Sequence, residues 1–111
     1  MVISRWHPFG GAARTRVLVA LELLDESYPR ELARVLGTPL SGVQAALRSL
    51  ERDGIVAARS IGRTRLYRFE PRYFAVRELR TYLARLASAE DAIVHRVHGL
   101  RRRPGRTGKP S

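Results

Sequence analysis

The tripeptide Gly37-Thr38-Pro39 ends one helical pattern and opens another, leaving room between them only for a turn. Before it, residues 29–36 carry Leu32, Ala33 and Leu36 on one face, with Ser27 or Tyr28 as the cap. Pro29 suits the first helical position, and Gly37 suits a left-handed C-terminal cap. After it, Thr38 is a capping residue and Pro39 fits the next position. A helix is therefore expected to run to Asp53 and stop at Gly54. Many helical hairpins share such a stop and restart, so the flanking segments decide what it means.

Upstream, residues 12–24 place Ala13, Val17, Ala20, Leu21 and Leu24 on one face of a helix, followed by the polar connection Asp25-Glu26-Ser27. Downstream, residues 55–60 and 65–69 read as short strands, with Val56 and Ala58, then Tyr67 and Phe69, alternating. Ile61-Gly62-Arg63-Thr64 between them is a Gly-containing hairpin loop. A lone two-stranded hairpin is marginal, so it must lean on the helices. The expected fold is mainly α with a small β-hairpin (α+β): a winged helix-turn-helix over residues 12–70, whose loop is the wing. Residues 1–11 form an N-terminal arm, and residues 71–99 an additional C-terminal dimerisation helix or helices. In that last segment Leu79, Leu83, Leu86, Ile93 and Val97 recur at threes and fours, and a possible break lies near Ser88, which with Asp91 resembles a capping box. Residues 100–111 are expected to be a basic, disordered tail.

Charge adds the second constraint. The formal net charge is +11, and 20 of the 21 basic residues are arginine. Residues 1–27 are balanced, whereas 28–69 carry +5, 70–98 carry +1, and 99–111 carry +5. General solubility would not predict that segregation; a polyanionic partner would. Cysteine is absent, which excludes thiolate metal sites, thiol nucleophiles and a disulfide framework. Nothing in residues 1–11 resembles a signal peptide, and no apolar run approaches a membrane span, so a soluble, cytoplasmic protein is expected.

The strings Glu31-Leu32-Ala33-Arg34-Val35-Leu36-Gly37, Val43-Gln44 with Leu47, Leu50 and Glu51, and Asp53-Gly54-Ile55-Val56 resemble the ArsR-like winged-helix transcriptional regulators. Gly62-Arg63 with Leu66-Tyr67 resembles the wing of the same group, and Phe9-Gly10 resembles the start of some members. The likeness covers roughly residues 10–87. It implies a homodimer, paired through the first and last helices and bound to an imperfect palindrome. Metal-sensing members use cysteines, or His and acidic residues on the last helix; without cysteine the first version does not apply here.

On a wheel of about 100° per residue, Val43, Leu47 and Leu50 face the core. Ser41, Ala45, Arg48 and Arg52 then fall opposite, with Gln44 at the flank. In a helix-turn-helix that outward face enters the major groove. Arg48 can donate to guanine O6 and N7, Gln44 to adenine or a phosphate, and Ala45 leaves room for a thymine methyl. Gly42 allows close backbone approach, and helix-end amides near Leu40 and Ser41 suit a phosphate. Arg63 at the wing tip is placed for the minor groove, flanked by Arg59 and Arg65 on phosphates. Arg30 and Arg34 suit backbone contacts. The plain alternatives are a solvated helix face and hairpin arginines that guard a sheet edge.

Trp6 and Phe9 in the arm, with Leu79, Tyr82, Leu83, Leu86, Ile93 and Val97, are the expected dimer seam, because one small domain does not easily cover that stripe. Glu90 within it argues against a simple coiled coil. His95 and His98, with Asp91 a turn earlier, are half of a helix-borne zinc site. Solvated histidines account for them more simply, so no metal or cofactor is expected. No phosphate loop, zinc-protease motif or nucleophile elbow occurs, and catalysis is not expected. The function read from the residues is a sequence-specific double-stranded DNA-binding regulator, a repressor acting as a homodimer. The alternatives are a protein-interaction module and a metal- or ligand-gated sensor of the same fold.

Overall fold

A computed structural model describes residues 11–101, apart from the side chains of Asp91 and Arg101. The arm residues Trp6 and Phe9 and nearly all of the basic tail lie outside the described residues. Five helices and a three-stranded antiparallel sheet follow in the order α1 (Ala12–Leu24), β1 (Glu26–Ser27), α2 (Pro29–Leu36), α3 (Leu40–Arg52), β2 (Val56–Ile61), β3 (Thr64–Phe69), α4 (Val76–Ala87) and α5 (Asp91–Arg101). The architecture is α+β, as expected. None of the described helices is long and apolar enough to cross a membrane.

Helix α1 is the hub. Val17, Leu18, Val19, Ala20 and Leu21 are all buried in succession, so the helix is enclosed on every side over that stretch rather than amphipathic. It touches α2, α3, α4, α5 and β1. Ala13, expected on its apolar face, is exposed. One buried cluster extends from Val17 to Leu100 and draws on every helix. Each fully buried Leu or Val in it contributes roughly 1.5–3 kcal/mol of transfer free energy.

Helix α2 closes as the glycine foretold. Gly37 adopts a left-handed φ of 66°. The amide of Gly37 donates to the Arg34 carbonyl and that of Thr38 to the Ala33 carbonyl, a Schellman arrangement. Two guanidiniums complete the C-terminus: Arg16 of α1 donates to the Leu36 carbonyl at 3.1 Å and Arg96 of α5 to the Val35 carbonyl at 2.9 Å. Cations there oppose the negative end of the helix dipole. Thr38, expected as the cap of α3, stands one residue before the N-cap position and makes no capping bond. The N-cap is Pro39, and no side chain caps the helix.

The hairpin is tighter than expected. Ile61 pairs with Thr64, leaving Gly62 and Arg63 alone in the loop. Gly62 has φ 62°, which fits a two-residue turn with glycine at its first position. The sheet order β1-β3-β2 adds a strand that the sequence reading took for a polar connection: Glu26 and Ser27 pair with Arg68 and Tyr67. Two polar residues carry no alternation to detect. Asp25 turns the chain into this strand at φ 73°, its amide donating to the Leu21 carbonyl at 2.7 Å.

The C-terminal segment is two helices, with the break near Ser88 that the sequence allowed, at residues 88–90. The correction is that Ser88 ends α4 instead of boxing α5, its Oγ donating to the Arg85 carbonyl at 2.7 Å. The break lets both helices wrap α1. Leu79, Leu83, Leu86, Ile93 and Val97 are consequently buried within the chain, and Leu83 is wholly inaccessible. The stripe that seemed too long for one domain to cover is covered by its own domain; only Tyr82 of the described seam residues stays half-exposed. Glu90 is buried immediately before α5, where helix-end amides favour a carboxylate.

Candidate nucleic-acid interface

Helix α3 divides as its periodicity dictates. Val43, Ala46, Leu47 and Leu50 are buried, while Ser41, Gly42, Gln44, Ala45, Arg48 and Arg52 are exposed. The apolar row fixes the helix against α1, α2 and β2, which leaves the polar row facing outward on a rigid support. Leu40, at the first turn, is half-buried. Gly42 sits in that turn with nothing within 4 Å of where a Cβ would be. No packing among the described residues requires a glycine there, although it costs up to about 1 kcal/mol relative to alanine inside a helix.

The start of α3 is electrostatically open. Val43 is the first residue whose amide bonds back into the turn, to the Pro39 carbonyl. The preceding amides have no side-chain cap, and the first turn holds no acidic residue. Uncapped amides at the positive end of a helix form a seat for an oxyanion.

Helix α2, α3 and the hairpin tip surround an open cleft of about 760 Å³ lined by Tyr28, Pro29, Arg30, Glu31, Arg34, Leu40, Gln44, Arg63 and Thr64. Five residues expected from the sequence (Arg30, Arg34, Leu40, Gln44 and Arg63) thus converge from three elements. Arg30 and Arg34 stand one helical turn apart on α2, both exposed. Tyr28 and Thr64 were not anticipated. Thr64 adjoins the tip arginine, and its hydroxyl was a readable signal; Tyr28 has none, since its place depends on the β1–β3 pairing. Glu31 is the one carboxylate lining the cleft, and its Oε1 accepts a hydrogen bond from Ser27 Oγ at 2.6 Å.

The arginines of this region fall into two groups. None of Arg30, Arg34, Arg48, Arg52 and Arg63 forms an ion pair with a carboxylate of the described residues. Arg59 and Arg65, expected to flank the tip on phosphates, are exposed but stand near carboxylates of the fold. Arg65 pairs with Glu51 of α3 at 2.9 Å and lies over the Tyr67 ring, and Arg59 approaches Glu26 at 3.9 Å. Arg65 therefore pins the hairpin to α3 from behind. Arg63 at the tip has no such carboxylate partner among the described residues.

His95 and His98 are both exposed on α5, and the Asp91 side chain lies outside the described residues. Among the described residues, no three His, Cys, Asp or Glu side chains gather where one ion would reach them. Comparison of the chain with family models, with curated proteins and with solved structures finds no match.

Proposed function

We propose that this chain is a sequence-specific duplex-DNA-binding transcription regulator with a winged helix-turn-helix architecture. In this reading α3 is the recognition helix, the β2–β3 loop is the wing, and occupancy of an operator represses transcription in the cytoplasm. One observation carries it: Ser41, Gln44, Ala45 and Arg48 project together from a helix whose other side is sealed into the core, and no carboxylate of the described residues neutralises Arg48. A face of that composition matches base edges of the major groove. The cleft beside it supplies Arg30, Arg34 and Arg63 for the flanking phosphates.

The resemblance to ArsR-like regulators adds a homodimer on a two-fold site. If two copies pair, they do so through surfaces other than the Leu79–Val97 stripe. The test is selection of bound duplexes from a random library at moderate salt, followed by the same selection with Arg48→Ala. A consensus that relaxes at one base pair in the variant supports the reading. Enrichment of nothing, or an unchanged consensus with Arg48→Ala, rejects it.

A second reading has one observation in its favour. Phe74 is 91% exposed and stacks edgewise near Tyr73, with ring centroids 5.1 Å apart. An apolar ring held in water beside α4 suits a protein partner. An interaction module would bind DNA weakly, with no base preference and a steep loss in salt, so the same selection separates the two.

A further inference from the structure

We propose that the polyanion-binding surface continues past α3 and the hairpin, across α2 onto α5, where Arg34, His95 and Arg96 form a second seat for the duplex phosphate backbone. The proposal rests on the DNA-binding reading and extends its footprint.

A second cleft, of about 360 Å³, lies between α2 and α5 and is lined by Arg34, Val35, His95, Arg96, Gly99 and Leu100. Arg34 lines both this cleft and the one at the hairpin tip, so the two adjoin at this residue. Arg63, Arg30, Arg34 and Arg96 then form one track over three elements. The chemistry of the second cleft is more one-sided than that of the first: among the described residues no carboxylate lines it, and its polar side chains are two guanidiniums and an imidazole. Such a set accepts an oxyanion and repels a metal ion or a basic peptide.

Arg96 is positioned rather than free to swing. Its Nη1 donates to the Val35 carbonyl at 2.9 Å and stands 3.0 Å from where a Cβ on Gly37 would lie. The left-handed glycine that ends α2 thus also makes room for this guanidinium, whose other N–H groups stay available; Arg96 is exposed. Gly99 supplies an independent observation. It lies within α5, where glycine is disfavoured, yet nothing stands within 4 Å of its missing Cβ. Packing among the described residues does not ask for glycine at 99. A bare helix surface facing a cleft of cationic donors permits a sugar-phosphate chain to lie close.

The backbone of a duplex fits better than a free anion. Arg34 lines both clefts, and only an extended polyanion would engage the two at once. On a helix-turn-helix docking, α2 crosses the backbone beside the groove that α3 enters, which brings its outer face and α5 over the flanking phosphates.

The experiment compares the full chain with His95→Glu/Gly99→Glu on one duplex of about 30 base pairs taken from the selection above, across a salt series. Both positions are exposed and a Cβ at 99 meets nothing, so folding is retained; His95→Gln/Gly99→Gln controls for side-chain bulk. The expected result is a salt slope shallower by about 1–2, at about 0.9 per phosphate contact, with at least roughly fivefold weaker binding and an unchanged base preference. The Gln pair should bind nearly as the parent does. A Glu pair with parental slope and affinity overturns the proposal and leaves the α3 reading intact. A parent chain that binds no duplex overturns both. Inorganic phosphate distinguishes the remaining source of the same chemistry: if ~20 mM phosphate shifts the His95 ring resonances as far as the duplex does, the cleft is a free-anion site and the backbone assignment falls.

Discussion

Where α1 meets its neighbours, arginines end on acceptors: Arg14 on Asp53 at 2.8 Å, Arg16 on the Leu36 carbonyl of α2, and Arg80 on Glu22 at 2.6 Å and Asp25 at 3.1 Å. Around the start of α3 and the hairpin tip, Arg30, Arg34, Arg48, Arg52 and Arg63 end on no carboxylate of the described residues. The same residue type therefore does opposite work in two regions a few turns apart. A guanidinium beside a carboxylate adds little to the field felt at a distance, whereas five without one sum to a positive potential suited to a polyanion. Total charge would not reveal this; the pairing does. The comparison is breakable at both ends.

The largest effect tests whether the C-terminal helices belong to the paired, structural region at all. Leu83→Ala should cost about 2–5 kcal/mol of folding stability, because Leu83 is fully inaccessible within the single chain. Urea denaturation at two protein concentrations, tenfold apart, should give the same loss. A variant that stays folded and merely shifts a dimer toward monomer would return the Leu79–Val97 stripe to an interface.

Next comes Arg48→Ala on the open face. It should cost about 1–3 kcal/mol of binding to a selected duplex and relax preference at one base pair. Folding stability should move by no more than about 0.5 kcal/mol, since Arg48 is exposed and makes no ion pair among the described residues. Fluorescence anisotropy and a thermal melt on the same preparation check the pair of numbers. A large fall in stability would place Arg48 with the structural arginines.

The converse substitution is Arg80→Ala. Its guanidinium lies 4.9 Å from the centroid of Phe69 as well as between two carboxylates. The hydrogen bond to Glu22 raises the Arg80 pKa above its ordinary value; partial burial opposes this and Asp25 reinforces it. Each ion pair at this exposure is worth about 0.2–1 kcal/mol and the ring contact about 0.5–1, so the variant should lose about 1–2 kcal/mol of stability. Duplex affinity at 25 °C should be unchanged. Weaker DNA binding by a folded Arg80→Ala would show that the two regions are not separable.

How much of this contrast was readable beforehand differs by scale. The α3 face was legible because a single helix obeys its own periodicity: Val43, Leu47 and Leu50 in, Ser41, Ala45 and Arg48 out. Helices α1, α2 and α3 were legible for a related reason, since Gly37 and Pro29 act on their immediate neighbours. The strand Glu26–Ser27 was hidden because it exists only through β3, some forty residues away. The partners of Arg59 and Arg65 were hidden likewise: a hairpin arginine is read as outward, and only the packing of the hairpin against α3 through β2 brings Glu51 to Arg65. The dimer seam was misread from the opposite direction. A stripe of Leu and Ile announces burial, but it does not say whether the covering surface belongs to the same chain.

The smallest effect lies at the hairpin tip. Arg63 follows Gly62 in a two-residue loop, is exposed, and has no ion pair among the described residues. Its side chain holds nothing in place, and the left-handed φ belongs to Gly62, so Arg63→Ala should leave the melt untouched. Because a phosphate carries no sequence information, losing such a contact should weaken all duplexes alike and make the salt slope shallower by about 1. Arg65→Ala, two residues away, should behave the other way round, loosening the hairpin from Glu51 with little change in slope. Measuring both slopes on one duplex sharpens the comparison to neighbouring positions on one strand. If Arg63→Ala instead altered preference at a particular base pair, the tip would be reading a groove; if the two slopes fell equally, the ion pair to Glu51 would not be what separates a structural arginine from a binding one.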